Sequence, residues 1–130
     1  MTIDRALIGL QSEPVLCEVE KGAIRRFAQA IGDLNPVYAA GEIAPPTFPT
    51  TFLVQLPVEL DVQRTLHGGE EYEYSRPIRA GDVLSVVRQI ADVYTRHGRL
   101  GTMTFLVIEA QGRDQAGEPV FRSRSTIICR

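Results

Sequence analysis

The stretch GDLNPVY, Gly32 to Tyr38, sets a carboxylate, an amide and a phenol close together in one short turn. Asp33, Asn35 and Tyr38 are side chains that can hold an oxygen, take up a proton or donate a hydrogen bond. Pro36 stiffens the turn between them. Such spacing could aim these side chains at a reacting group. Yet the residue two after Pro36, where an imidazole would serve best, is Tyr38. A phenol ordinarily titrates near pH 10, so it is a poor general base at neutrality. Taken alone, an Asp after a helix-ending Gly and before Asn-Pro also reads as a turn former bonding nearby backbone.

The elements that must position these groups follow from the pattern of the chain. Pro14 to Val19 reads as a brief strand. In KGAIRRFAQAIGD, Ile24, Phe27, Ala28 and Ile31 fall at helical spacing and make one apolar stripe, which Gly32 ends. Asp33 therefore stands just past a helix C-terminus. The breaker-rich APPTFPTTFLVQLP follows. Pro45-Pro46 cannot lie inside a helix, whereas Pro49 suits a first turn. Thr47 is a candidate cap, and the spacing predicts a short apolar helix over Thr50 to Leu56. The remainder is strand. Tyr72, Tyr74 and Arg76 share one face and Glu71, Glu73 and Ser75 the other, and the run of Glu70, Glu71 and Glu73 next to Arg76 reads as an exposed strand face with a weak ion pair. Turns are expected at Ala80-Gly81-Asp82, Arg96-His97-Gly98 and Asp114 to Glu118. Between them run VLSVVRQIADVYTRHG, LGTMTFLVIEAQG and VFRSRSTIICR, β-branched and long. In the last of these, Phe121, Ser123, Ser125 and Ile127 oppose Val120, Arg122, Arg124 and Thr126. This is an α+β domain spanning 1–130, an antiparallel sheet with one face to bury. The apolar helix expected after APPTF is the element best fitted to the centre.

Composition narrows the function classes. The 130 residues carry a formal net charge of −2, which argues against a nucleic-acid partner. No signal-peptide pattern and no apolar run of membrane-spanning length occurs, so the chain is expected to be soluble and cytoplasmic. Cys17 and Cys129 lie far apart among apolar residues and form no ligand-like pair; a disulfide would require the first and last strands to meet. His67 and His97 sit near Gly-rich turns with no neighbouring ligand, so no metal site is expected.

The order helix–GDxNPxY, then APPTF, then HGGEEYEYSRPIRAGD ahead of three long strands resembles the MaoC-like hydratase/dehydratase family, in its N-terminal or fatty-acid-synthase-type dehydratase branch. The resemblance runs from about Val15 onward. It implies a hotdog fold, an antiparallel sheet wrapped around a central helix. It also implies an activity: water added to a trans-2-enoyl thioester, or removed from the (R)-3-hydroxy compound. The thioester of coenzyme A or of acyl carrier protein is then the substrate, and no further cofactor is implied. By the same resemblance Asp33, Asn35 and Tyr38 occupy the catalytic positions, and Pro46, Thr47, Phe48 and Phe52 line the acyl site. Arg25, Arg26, Arg76 and Arg79 are candidates for coenzyme A phosphates, with solvated surface charge as the alternative.

The match to the family pattern is partial. Tyr38 stands in the histidine's position. Pro46 stands where a glycine N–H would bind the thioester oxygen, and proline has no N–H. Thr47 or Phe48 could donate instead only if the loop shifts. Between Tyr38 and APPTF the connection is cut to AAGEI. The resemblance thus implies the acyl-binding subunit of a pair, a homodimer or more readily a heterodimer with a second hotdog subunit that bears the histidine. An active homodimer using Asp33, an acyl-CoA thioesterase and a non-enzymatic acyl-CoA sensor are the alternatives.

Overall fold

The structure is a computed structural model that describes residues 2–130. Strand β1 (Val15–Glu18) leads into helix α1 (Lys21–Ile31) and the single-turn helix α2 (Pro36–Ala39). Four long strands follow: β2 (Thr65–Tyr74), β3 (Val83–Gly98), β4 (Gly101–Arg113) and β5 (Pro119–Cys129). They form one antiparallel sheet in the order β1-β3-β4-β5-β2. The expected α+β class and the three long C-terminal strands are borne out. Two boundaries move. β3 continues through His97, and the hairpin turns at Arg99 and Leu100. β2 starts at Thr65, so His67 lies in a strand, with the register slipping between His67 and Gly69.

α1 forms as its stripe dictates. Ile24 and Ala28 are buried, Phe27 packs beside them, and Gly32 ends the helix at φ 71°. Ile31, the last member of the stripe, lies beyond the sheet and stays exposed.

The short helix expected over Thr50 to Leu56 is absent. Phe48–Thr51 is a single 3-10 turn, with Thr47 making no side-chain cap. Thr50 and Thr51 hydroxyls bond back to the Thr47 and Phe48 carbonyls at 2.9 Å, a local alternative to helix. From there residues 52–61 run extended as a strap. Phe52, Val54, Leu56, Val58 and Leu60 turn inward, while Leu53, Gln55, Pro57 and Glu59 are exposed. That alternation has the period of extended chain, not of helix. Seven residues between Pro49 and Pro57 are also too few for a helix to persist. The helix held against the sheet is therefore α1.

The sheet's inner face carries two apolar clusters. One gathers Ile24, Phe48, Leu84, Val86 and Phe121 under α1; the other gathers Ile90, Val93, Leu106 and Ile108 under the strap and the N-terminal residues. Cys17 and Cys129 are free thiols on non-adjacent strands, and burial raises both above the ordinary thiol value.

The shortened connection after Tyr38 is closed by Gly41, buried at φ 77°. A Cβ there would meet the Lys21 carbonyl oxygen at 2.8 Å. Gly41→Ala is accordingly expected to cost about 2 kcal/mol through left-handed strain and a backbone clash. Urea unfolding checks this, and an unchanged midpoint would contradict it.

Candidate functional site

The bend after α1 is built from side chain to backbone bonds. The Asp33 N–H donates to the Ala28 carbonyl at 2.9 Å, closing the helix end. An Asp33 carboxylate oxygen accepts from the Asn35 N–H at 3.0 Å. The Asn35 amide oxygen in turn accepts from the Val37 N–H at 3.1 Å, capping α2, with Pro36 as its first residue. Each predicted polar group is thus engaged in holding the turn. Both are exposed or half-buried, and neither lines the two clefts described next.

Tyr38 faces a cleft instead, one of about 370 Å3 that it lines with Ala44, Pro46, Tyr74 and Arg76. The Tyr74 hydroxyl donates to the Pro46 carbonyl. Burial pushes Tyr74 well above the ordinary phenol range, and the nearby phenols Tyr72 and Tyr38 add to it. Tyr74 is therefore a fixed hydrogen-bond donor. Of the expected acyl-site residues, Pro46 lines this cleft. Phe48 is buried in the core, with Phe27 and Phe52 edge-on to it at 5.6 and 5.7 Å. Thr47 is exposed. Its N–H is bonded to no described protein group, whereas that of Phe48 donates to the Pro45 carbonyl.

Phe52 faces a second cleft, of about 270 Å3, on the inner face of the sheet below the strap. Its polar lining was not singled out in the sequence. Glu70, expected on an exposed acidic face, instead turns inward. It lies 2.8 Å from His67 Nε2 and accepts from the Ser125 hydroxyl at 2.7 Å. Arg88 and Tyr72 line the same cleft. The available signal was period two. Arg88 falls in phase with Leu84, Val86 and Ile90, and Ser123 and Ser125 interrupt an otherwise apolar face.

The arginines divide. Arg76 is taken up by Asp82, at 2.8 and 3.2 Å, with Asp114 at 3.7 Å, so it is not free for a phosphate. Glu73, in the acidic run near it, pairs across the sheet with Arg122 at 3.2 Å. Arg25, Arg26 and Arg79 remain exposed and enter no ion pair among the described residues. No group of metal-ligating side chains occurs among the described residues, and no helix is long and apolar enough to cross a membrane.

The chain matches the family model of the FAS1-like dehydratase domain region over residues 6–123. A UPF0336 protein of Streptomyces coelicolor is 34% identical over 149 residues, taking in 100% of this chain and 97% of that one. A UPF0336 protein of Saccharopolyspora erythraea is 36% identical over 149 residues, with 100% and 93% covered. Both alignments are longer than the chain's 130 residues, so these relatives carry insertions relative to it. Among solved structures, the C-terminally truncated HadBC (3R-hydroxyacyl-ACP dehydratase) complex of Mycobacterium tuberculosis matches with a TM-score of 0.76. It is 21% identical, covering 98% of this chain and 99% of that one. The ChsH1–ChsH2 complex of the same organism matches with a TM-score of 0.72 at 21% identity, covering 92% and 83%. These structural likenesses establish the fold, the hotdog that the sequence resemblance implied.

Proposed function

Because this chain belongs to the FAS1-like dehydratase domain family, we propose that it is the acyl-binding subunit of an enoyl-thioester hydratase/dehydratase. The substrate is an acyl thioester of coenzyme A or acyl carrier protein, and no other cofactor takes part. Acid–base chemistry belongs to a second, histidine-bearing hotdog subunit in the cytoplasm.

One observation carries the reading. The bend spends Asp33 and Asn35 on its own backbone, while the inner sheet face opens a cleft walled by Phe52, Val86 and Phe121. The first arrangement holds a turn; the second can hold methylenes. Two further features favour a partner. The ten-residue strand β2 is paired only with β5, leaving its other edge free to continue the sheet. Leu16, Leu34 and Leu53 are large apolar residues 71%, 89% and 86% exposed.

The test is hydration of crotonyl-coenzyme A by the chain alone and by its complex with a co-expressed hotdog subunit. Asp33→Asn keeps the side-chain oxygen that accepts from the Asn35 N–H, so the turn is preserved and only the carboxylate is lost. In the complex it is expected to change the rate by less than about twofold. Hydration by the chain alone, lost about a hundredfold or more in Asp33→Asn, would replace this reading with an active homodimer. Release of free thiol would point to a thioesterase.

A further inference from the structure

A polar row crosses the inner face of the sheet between its two apolar clusters. The register aligns Arg88, Ala110, Ser123 and Tyr72, with Ser125 and Glu70 in the next row. The 270 Å3 cleft opens over these rows, under Phe52 and Val54 of the strap. Two donors there are unspent. The Tyr72 hydroxyl is buried and makes no hydrogen bond of regular geometry among the described residues, with Glu70 the acceptor that lies near it, an arrangement costly to maintain without a purpose. The Arg88 guanidinium makes a single bond, from Nη1 to the Val54 carbonyl at 3.0 Å, and enters no ion pair among the described residues.

Charge decides what such donors could take. Glu70 lies near enough to act electrostatically on both groups, while one of its oxygens, Oε2, is shared by His67 and Ser125. Burial, then Glu70, raises the Tyr72 phenol, so it stays protonated and remains a donor. With Glu70 offsetting Arg88, the row is close to neutral. A carboxylate would leave an uncompensated charge in a half-buried site. An uncharged oxygen would not.

We propose that this cleft is a specificity site for a carbonyl or hydroxyl oxygen carried on the acyl chain, held by the Tyr72 hydroxyl and the free Arg88 N–H groups. The proposal rests on the acyl-thioester reading above and names the substrate class within it, an oxygenated acyl chain. Its path is short. Tyr72 stacks on Tyr74 with ring centroids 6.3 Å apart, and Tyr74 lines the cleft of Tyr38 and Pro46. Phe52, Val86 and Ile127 supply apolar wall for the methylenes on the way.

Titration calorimetry of the full chain with decanoyl-coenzyme A and its 5-oxo, 7-oxo and 9-oxo forms tests this. At least one oxo form is expected to bind about tenfold tighter than the plain chain, as one well-made hydrogen bond allows. Tyr72→Phe is expected to abolish that advantage and leave the melting temperature equal or higher. Equal binding of all four thioesters, or an advantage that survives Tyr72→Phe, overturns the proposal alone. Binding of none, even with the co-purified hotdog partner, overturns the acyl-thioester reading and this with it.

Discussion

Replacing Gly112 by alanine is expected to destabilise the chain by about 3 kcal/mol, a fall of roughly 10 °C or more in Tm. Gly112 pairs with Phe121 across β4 and β5, and the phenyl ring lies over the place where a side chain would stand. An added Cβ would be 2.2 Å from Phe121 Cε1 and 2.6 Å from Cδ1. The ring cannot retreat cheaply. It is 3% exposed, with Phe52 at 6.0 Å and Tyr74 at 6.2 Å between centroids. Displacing it would disturb the apolar cluster under α1 and push the ring toward the inner cleft it lines. Gly69→Ala is the matched control, because a Cβ there meets nothing within 4 Å. Thermal unfolding separates the two: a Gly112→Ala transition within a degree or two of the unchanged chain would contradict this account of the site.

The same pairing explains what could be read in the sequence. The three C-terminal strands were legible because period-two alternation and β-branched content agreed over long runs, bounded by Gly and Asp. α1 was legible because Ile24, Phe27 and Ala28 kept helical spacing and Gly32 marked the stop. The strap was misread because a breaker-rich stretch with Pro at a permitted position invites a helix. Its own pattern, Phe52, Val54, Leu56, Val58 and Leu60, already alternated as extended chain does. That error mattered for the site, since a helix over 50–56 would have filled the space that the clefts occupy. The inward turn of Glu70 was hidden for a related reason. A charged residue next to Glu71 and Glu73 reads as surface, yet its parity matches Tyr72 and Tyr74, which face in.

The bend itself was read in two ways, and its geometry favours the quieter one. Asp33 bonds the Asn35 N–H, Asn35 bonds the Val37 N–H, and Tyr38 lines a cleft with Pro46, so the turn is held by its own side chains. What it lacks is a base beside the carboxylate and a backbone N–H at Pro46. On the proposed reading such a turn shapes a pocket, because it sets the course of the chain into Ala44, Pro46 and Phe48. The two tyrosines with strongly raised pKa values then serve as donors, roles that need no proton transfer.

Loss of stability on acidification is expected to run through Asp82. Asp82 accepts from Arg76 at 2.8 and 3.2 Å and from the Arg79 N–H at 2.8 Å, while its backbone carbonyl accepts from the Val19 N–H. It thereby ties the turn before β3 to the residue that joins β1 and α1. Burial would raise its carboxyl, but the Arg76 bonds and the Arg79 N–H outweigh burial and hold it below the ordinary value. A carboxyl depressed in the folded state contributes fully above its unfolded pKa, near 3.9, and loses that contribution as pH falls through the folded value. Asp82→Asn is therefore expected to cost about 2 kcal/mol at pH 7, where it leaves Arg76 with Asp114 alone at 3.7 Å. The gap between the two proteins should narrow as the pH drops below about 4, because the unchanged chain then loses the same ion pair by protonation. Urea titrations from pH 7 downward measure both numbers; a difference that stays constant with pH would mean that packing, not charge, holds Asp82 in place.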